Sequence, residues 1–151
     1  SQAVERAFKI DDQVIIEEMV EGFEVGCAIM GKGNDSIIGE VDEIELTGDF
    51  FDFTEKYTLE TAQIHLPARL SEQTTAKVKQ TALRIYKALG CSGFARVDMF
   101  ITPDEQIVFN EVNTIPGFTS HSRYPRMMEA IGYSFATLIN HLIEMGVKQG
   151  C

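Results

Sequence analysis

The sequence is short of positive charge and of long apolar runs. Only 13 lysines and arginines face 23 acidic residues, so the formal net charge is −10 over 151 residues. A chain without a basic patch does not fit a nucleic-acid-binding role. No apolar run approaches the length that a membrane span needs. We therefore expect neither nucleic acid nor membrane as a partner.

Cysteine is scarce, and the spacing of the three residues present is not that of a metal site. They are Cys27, Cys91 and Cys151. Their odd number, without a signal-like start, favours a reducing cytoplasm. The sequence has no initiator Met and opens on SQAVERAFK, whose apolar residues have helical spacing. We expect a fragment of a longer protein that starts inside an amphipathic helix.

What is present suits one soluble domain, with 44% hydrophobic and 24% charged residues. The most informative stretch is Gly93–Ser122. β-Forming residues dominate Phe94–Thr102 and Ile107–Asn113, and the polar turn PDEQ between them predicts a β-hairpin. Because side chains alternate between the faces of a strand, each strand should have two distinct faces. One face would hold Arg96, Asp98, Phe100, Glu111 and Asn113, and the other Val97, Met99, Ile101, Val108 and Val112.

Closing this hairpin over Pro103–Gln106 pairs Asp98 with Glu111, Arg96 with Asn113 and Thr102 with Ile107. Directly opposed carboxylates repel, so the pairing makes sense if a cation lies between them. Oxygen ligands suit Mg²⁺ or Mn²⁺ and argue against zinc. Arg96 would then donate to a phosphate or a developing oxyanion. The alternative is a surface hairpin with solvated charges, and a slip of one residue would break the pairing.

A long non-periodic loop, VNTIPGFTSHSRYP, follows the second strand and is typical of a binding loop. The combination of ARVD with NEVNTIPGFTSHS resembles the ATP-grasp family of D-alanine–D-alanine ligases. The resemblance implies an α+β fold, the C-terminal portion of an ATP-grasp enzyme, with a mainly antiparallel sheet packed with helices. Residues 1–151 would form a single unit. Residues 1–68 would end the central ATP-binding subdomain, and 69–151 would form the C-terminal subdomain.

The same resemblance implies ATP and two Mg²⁺ (or Mn²⁺) as cofactors and assigns roles to residues of the hairpin and loop. Arg96 resembles the arginine that stabilises the transferring phosphoryl group and the tetrahedral intermediate. The backbone around Gly117 resembles the oxyanion hole, and Ser122 with Arg123 the site of the acceptor carboxylate. The metal ligands would be Asp98, Glu111 and Asn113, with Asn110 and Glu111 also contacting the cofactor.

Two earlier segments also acquire roles from the resemblance. EEMVEGFE resembles the adenine hinge, with Val20 over the ring and Glu24 on the ribose hydroxyls; on pattern alone, Val14–Glu18 is a short strand whose terminal acids are solvated. The hinge residues would be Glu17, Glu18, Met19 and Val20. Residues 47–63 resemble a mobile ω-loop, although they also fit a surface excursion anchored by phenylalanines. In this loop, Phe50 and Lys56 would contact ATP, and Phe51 and Tyr57 the acceptor.

The motifs FFDFTEKY and SHSRYP are similar to those of vancomycin-resistance-type D-alanine–D-serine ligases. The housekeeping enzymes often have Tyr where Phe51 stands and an aliphatic residue where Arg123 stands, whereas D-lactate-type enzymes resemble this chain at Arg123. D-Alanine and D-serine are therefore the expected substrates. Alternatives are a housekeeping D-alanine–D-alanine ligase, another ATP-grasp carboxylate–amine ligase and a non-catalytic interaction domain. The full-length enzyme would be a homodimer, and the fragment alone inactive.

The remaining pattern predicts the other elements of the fold. Strands Phe23–Met30 and Ile37–Leu46 would flank a KGND turn. A helix capped by Ser71 would end before Gly90 and bury Val78, Ala82, Ile85, Tyr86 and Leu89. Two more helices would follow the loop, one from Arg126 to near Gly132 and one capped by Ser134 and stopped by Gly146.

Overall fold

The computed structural model describes residues 1–46 and 62–148. In these ranges an antiparallel sheet of five strands carries helices on both faces, which confirms the predicted α+β class. The strands are β1 (Phe23–Lys32), β2 (Ile37–Leu46), β3 (Ala62–His65), β4 (Ser92–Ile101) and β5 (Ile107–Asn113), in the order β3-β2-β1-β4-β5. The helices are α1 (Gln2–Ala7), α2 (Glu72–Ala88), α3 (Arg123–Glu129) and α4 (Phe135–Lys148), and a 3₁₀ turn covers Gly33–Asp35. No helix in the described ranges is long and apolar enough to cross a membrane.

One face of the sheet is apolar and packs on α2. The helix buries Val78, Ala82 and Tyr86 against it, at the spacing of one helical stripe. Burial in this core raises the pKa of the Cys27 thiol to about 12, so Cys27 fills space and is not a nucleophile. The sheet residues of this face are Val25, Cys27, Ile29, Val41, Ala95, Val97, Met99 and Ile101.

The opposite face is divided along its length. At one end, Ala28 and Met30 pack under α3 and α4. At the other end, the positions that face away from α2 lack apolar side chains. They are Glu24, Gly26, Asp42, Arg96 and Asp98. Buried polar groups need partners, and the partners found at this end define the candidate site described below.

The sequence signals for α2 are confirmed at both ends. The Oγ of Ser71 accepts a hydrogen bond from the Thr74 N–H at 3.1 Å, and Gly90 follows the helix with a φ of +66°. The predicted burial of Leu89 is wrong, because its side chain is 58% exposed. Leu89 is the C-cap residue. The chain leaves the helix there, so the helical spacing of buried residues no longer predicts which way the side chain points.

The predicted hairpin is present, but it contains a β-bulge that pattern analysis missed. Asp98 lies opposite Glu111 and Arg96 opposite Asn113, as predicted. Toward the turn the register shifts, so that Ile101, and not Thr102, lies opposite Ile107. The reason is the turn itself, in which the Thr102 N–H donates to the Gln106 carbonyl at 3.1 Å.

The shift leaves Asn110 as the extra residue of the bulge. It also places Val108 opposite Phe100 and Val112 opposite Val97. The prediction that Val108 and Val112 share one face is therefore wrong, because the bulge reverses the alternation between them.

The predicted strand Val14–Glu18 is absent, and this segment is irregular. Ile15 and Ile16 are 83% and 79% exposed. A strand needs a neighbour to accept its backbone hydrogen bonds, and among the described residues the five strands pair only with one another. The apolar run predicted a buried strand, but no strand among the described residues pairs with this segment.

Two helix boundaries also differ from prediction. Helix α3 begins at Arg123, three residues early, because extended Ser122 occupies the N-cap position and Pro125 is tolerated in a first turn. Helix α4 continues through Gly146 to Lys148, since one glycine weakens a helix without ending it. Within α4, Leu138 is fully buried, whereas Phe135 and Ile143 are exposed.

At the edge of the sheet, charged side chains join β2 to the segment that precedes α2. Arg69 donates to Glu43, with Nη2 and Oε1 2.6 Å apart, and Glu43 is only 6% exposed. Next to this pair, His65 Nε2 lies 2.6 Å from Glu45 Oε2. Burial disfavours the charged form of Glu43, but the hydrogen bonds from Arg69 outweigh it and hold the pKa of this carboxyl below its ordinary value of 4.5.

We expect Glu43→Gln to flatten the acid side of the stability profile. A carboxyl with a depressed folded-state pKa stabilises the fold above its unfolded pKa, and this contribution is lost as pH falls through the lower folded value. Because Arg69 is half exposed, the contribution should be about 1 kcal/mol. Urea unfolding of the 151-residue chain between neutral pH and pH ~3 measures it, with exposed Glu129→Gln as the control. Equal pH dependence in wild type and Glu43→Gln would contradict the assignment.

Candidate functional site

The centre of the polar end is a buried pair between Arg96 and Asp98. The two residues are two positions apart on β4 and share a face, as the alternation predicted. Nε of Arg96 lies 2.7 Å from Oδ1 of Asp98, and Nη2 lies 2.7 Å from Oδ2. Asp98 is 1% exposed and Arg96 7%. Both carboxylate oxygens of Asp98 are thus engaged by one guanidinium, a contact that the sequence analysis did not anticipate.

A second arginine, Arg123, enters this cluster from the start of α3. Its Nε lies 2.8 Å from Oδ2 of Asp42 and its Nη2 2.7 Å from Oδ1. Its Nη1 donates to Glu24 at 3.1 Å, and its Nη2 lies 3.6 Å from Asp98. Burial disfavours the charged guanidinium, but the carboxylates outweigh burial and raise the pKa of Arg123. Arg123 is therefore a fixed cation at every working pH.

Two further members of this cluster, Asp42 and Gly26, were not among the candidates predicted from the sequence. Asp42 is 1% exposed and pairs across the sheet with Gly26, which in turn lies opposite Asp98 on β4. The signal for Asp42 was its place in IIGEVDEIEL, where it follows buried Val41 and so faces away from the α2 side. An acid at an inward position implies a cation nearby, but that cation, Arg123, is distant in sequence.

Aromatic contacts hold the loop between β5 and α3. The ring of Phe118 lies 5.4 Å from that of Phe94, 5.8 Å from that of Tyr124 and 5.6 Å from that of Phe135. Such ring pairs stabilise beyond their buried area. Phe118 therefore anchors the predicted binding loop to the apolar half of the same sheet face.

This anchoring brings together Gly117 and Ser122, the residues predicted for the oxyanion hole and the acceptor. A β-carbon on Gly117 would lie 2.9 Å from Oγ of Ser122. The same Oγ accepts the Thr119 N–H at 3.0 Å. The loop thus has an internally bonded turn, and Ser122 precedes Arg123 directly.

The predicted metal ligands lie side by side on β4 and β5. Glu111, opposite Asp98, is exposed, and Asn113 is half-buried with its Oδ1 accepting the Ile115 N–H at 3.2 Å. No group of three or more His, Cys, Asp or Glu side chains in ranges 1–46 and 62–148 is arranged as a metal site; the predicted set contains only two such residues and an amide. Its oxygen donors are of the type that Mg²⁺ or Mn²⁺ binds, and both carboxylate oxygens of Asp98 are bonded to Arg96.

The other candidate residues lie apart or outside the described ranges. The hinge candidates precede β1 in an irregular segment, where Glu17, Glu18 and Met19 are exposed and Val20 is half-buried. Asn110 is exposed in the bulge next to Glu111. The positions Phe50, Phe51, Lys56 and Tyr57 lie outside the described residues.

The chain is similar to known proteins along nearly its whole length. A family model described as the D-ala D-ala ligase C-terminus matches residues 1–144. The chain belongs to the D-alanine–D-alanine ligase family. Among solved structures, VanG D-Ala:D-Ser ligase from Enterococcus faecalis is 58% identical, with a TM-score of 0.85 over 95% of this chain and 42% of that one. The resemblance identified in the hairpin and loop is thus confirmed.

Two curated members of the family show how much of a ligase the chain represents. Vancomycin/teicoplanin A-type resistance protein VanA of Enterococcus faecium is 47% identical over 97% of this chain and 44% of its own length. A D-alanine–D-alanine ligase of Prosthecochloris aestuarii is 46% identical over 97% of this chain and 41% of its own length. The chain therefore spans less than half of the family members that it matches.

We expect Arg123→Met to be more destabilising than the double change Asp42→Asn/Arg123→Met. Two guanidiniums face three carboxylates in the cluster, so loss of Arg123 alone leaves buried negative charge, whereas the double change keeps the balance. Removing one partner of a buried pair costs about 3–5 kcal/mol. Urea unfolding of the three proteins measures the order, with Asp35→Asn in the exposed turn as the control. A double variant less stable than Arg123→Met would contradict the charge assignment.

Proposed function

We propose that the protein containing this chain uses ATP to join D-alanine to a second D-amino acid through an acylphosphate, in peptidoglycan precursor synthesis. Family membership supports the reaction class. The observation that carries the proposal is the β4–β5 pairing, which aligns Arg96 and Asp98 with Asn113 and Glu111 on one face. A guanidinium beside two opposed carboxylates suits a reaction that positions phosphates and stabilises developing negative charge.

In this proposal Arg96 stabilises the transferring phosphoryl group and the tetrahedral intermediate. Asp98, Glu111 and Asn113 hold two divalent cations, Mg²⁺ or Mn²⁺, which neutralise phosphate charge when bound. The backbone at Gly117 faces the oxyanion, and Ser122 with Arg123 receives the acceptor. Lys56, Phe50, Asn110 and the hinge residues contact ATP, and Glu24 shares its carboxylate between the ribose and Arg123.

We further propose D-serine as the preferred acceptor. Arg123 is a fixed, polar group whose Nη2 lies 2.7 Å from Oδ1 of Asp42. It can donate a hydrogen bond to the hydroxyl of D-serine, whereas the methyl group of D-alanine has no atom that accepts one. The 58% identity to VanG D-Ala:D-Ser ligase supports this choice. D-Alanine is the second candidate, because identity to a D-alanine–D-alanine ligase reaches 46%. Phe51 and Tyr57 complete the proposed acceptor site.

Other parts of the proposal concern the setting of the enzyme. We infer a cytoplasmic enzyme, because an ATP-dependent reaction and the free thiols of Cys27 and Cys91 suit that compartment. From the family resemblance we also propose a homodimer in the full-length protein. The acidic composition favours neither a nucleic-acid nor a membrane partner. We also retain a subdomain division near residue 68, although the described sheet contains strands from both sides of it.

The acceptor is tested by competition on the full-length enzyme. The assay contains ATP, Mg²⁺ and equal concentrations of D-alanine and D-serine. D-Alanyl-D-serine should be the main product, identified by mass while ADP release is followed. Equal or better use of D-alanine would overturn the D-serine assignment and favour ordinary wall synthesis. No dipeptide with either acceptor would indicate another ATP-grasp ligase.

The metal site is tested by Glu111→Gln, which removes a charged ligand and keeps its shape. We expect ligation to fall about 10- to 100-fold, with partial recovery at high Mg²⁺ or Mn²⁺. Metal-dependent nucleotide binding, measured by calorimetry, should weaken in parallel. Glu144→Gln, exposed on α4, is the matched control. Undiminished ATP-dependent ligation by Glu111→Gln would show that the metal assignment is wrong.

The isolated 151-residue chain should not turn over, because it spans less than half of the length of the related ligases. ADP release under the same assay is the measurement. Sustained turnover by the purified chain would refute this expectation.

A further inference from the structure

Gly26 occupies the middle of the polar cluster, in β1 between Asp42 on β2 and Asp98 on β4. A β-carbon at this position would lie 2.5 Å from Nη2 of Arg123, 2.7 Å from Oδ1 of Asp42 and 3.0 Å from Oδ1 of Asp98. The two shortest separations are closer than real β-carbons approach other atoms. All three neighbours are bonded within the cluster, so none can move without breaking a charged hydrogen bond.

The backbone conformation does not explain why position 26 is a glycine. Gly26 is absent from the described glycines with positive φ, and it pairs regularly with both neighbouring strands. Glycine in a strand interior loses side-chain packing and often marks close approach of another group. Here the approaching group is the guanidinium of Arg123. The N–H of Gly26 also donates to Oδ1 of Asp42 at 3.1 Å, so the same residue orients the partner of Arg123.

We propose that Gly26 is a positioning residue for the acceptor end of the site, acting through Arg123. Its missing side chain leaves the space in which the guanidinium lies, and its N–H holds Asp42 in the orientation that Arg123 needs. The inference rests on the proposed role of Arg123. Because Arg123 follows Ser122 and begins α3, a guanidinium pushed out of this space also disturbs the acceptor-binding end of the loop.

The chain offers a control in Gly39, which is also crowded on the same sheet face. A β-carbon there would lie 2.9 Å from Cβ of Ala28 and 3.0 Å from Sδ of Met128. These two nearest neighbours are uncharged side chains, and Met128 belongs to α3. Gly39→Ala therefore reports what overpacking this face does when no charged group is displaced.

The test compares Gly26→Ala and Gly39→Ala in the full-length ligase. We expect Gly26→Ala to raise the acceptor KM roughly 10- to 100-fold, and its crystal structure to show Arg123 no longer bonded to Asp42. The KM for ATP should stay within about twofold for both variants, and Gly39→Ala should also leave the acceptor KM within about twofold. Gly26→Ala with Arg123 still bonded to Asp42, or with an unchanged acceptor KM, would overturn the proposal.

A second background separates positioning from general damage to the fold. In Asp42→Ala/Arg123→Met the two atoms nearest the added β-carbon, Nη2 of Arg123 and Oδ1 of Asp42, are both absent, so adding Gly26→Ala should change the acceptor KM by less than about twofold. An equal KM increase in both backgrounds would overturn the proposal. If Gly26→Ala alone does not fold, recovery of folding in this background supports the displacement, and failure in both backgrounds refutes it.

The same data distinguish this inference from the proposed function. The wild-type enzyme is assayed with D-serine and D-alanine in parallel. If it prefers D-alanine, the D-serine assignment fails, and the role of Gly26 is judged on the KM for D-alanine. If it ligates neither, the role in acceptor binding falls with the ligase assignment, whatever position Arg123 takes in the variant.

Discussion

The burial of charge on half of a sheet face is the constraint on which the rest of the structure depends. Arg96, Asp98, Asp42 and Arg123 are all removed from most contact with water, and an unpartnered ion there would cost several kcal/mol. Each must therefore face its partner at hydrogen-bonding distance. Only the observed register of β1, β2 and β4 lines up Asp42, Gly26 and Asp98 in one row across the sheet. The register of these three strands is therefore specified by the pairing of buried charges as well as by the apolar pattern.

The apolar half of the same face is what delivers Arg123 to this row. Helix α3 is only seven residues long, too short to be stable alone, and it is held by buried Tyr124, Met127 and Met128. The Tyr124 hydroxyl also donates to the Ile29 carbonyl at 3.2 Å. Because α3 begins at Arg123, its packing brings the side chain close to this row, and hydrogen bonds to Asp42 and Glu24 set the position of the guanidinium. Core packing and site geometry are therefore two consequences of one divided face.

Local signals in the sequence predicted most elements, and interactions between distant residues account for what they missed. The caps Ser71 and Gly90 act within a few residues, and the pairing of Asp98 with Glu111 follows from one hairpin, so all three could be predicted. The pairing of Arg123 with Asp42 joins residues 81 positions apart, which no local pattern encodes. The prediction of a strand at Val14–Glu18 was wrong for a related reason, since strand formation depends on a neighbouring strand that the segment itself does not specify.

An excess of negative charge gives the cluster its chemical character. Two arginines face Glu24, Asp42 and Asp98, and Glu111 lies directly beside Asp98 on the next strand. The arginines satisfy the buried oxygens but are outnumbered by the carboxylates, so the cluster carries a formal negative charge next to Glu111. A polyphosphate can approach such a surface only together with cations that reverse its local field. The acidity of the chain is then compatible with the proposed nucleotide chemistry, in which a divalent ion held by Asp98 and Glu111 would offset this charge.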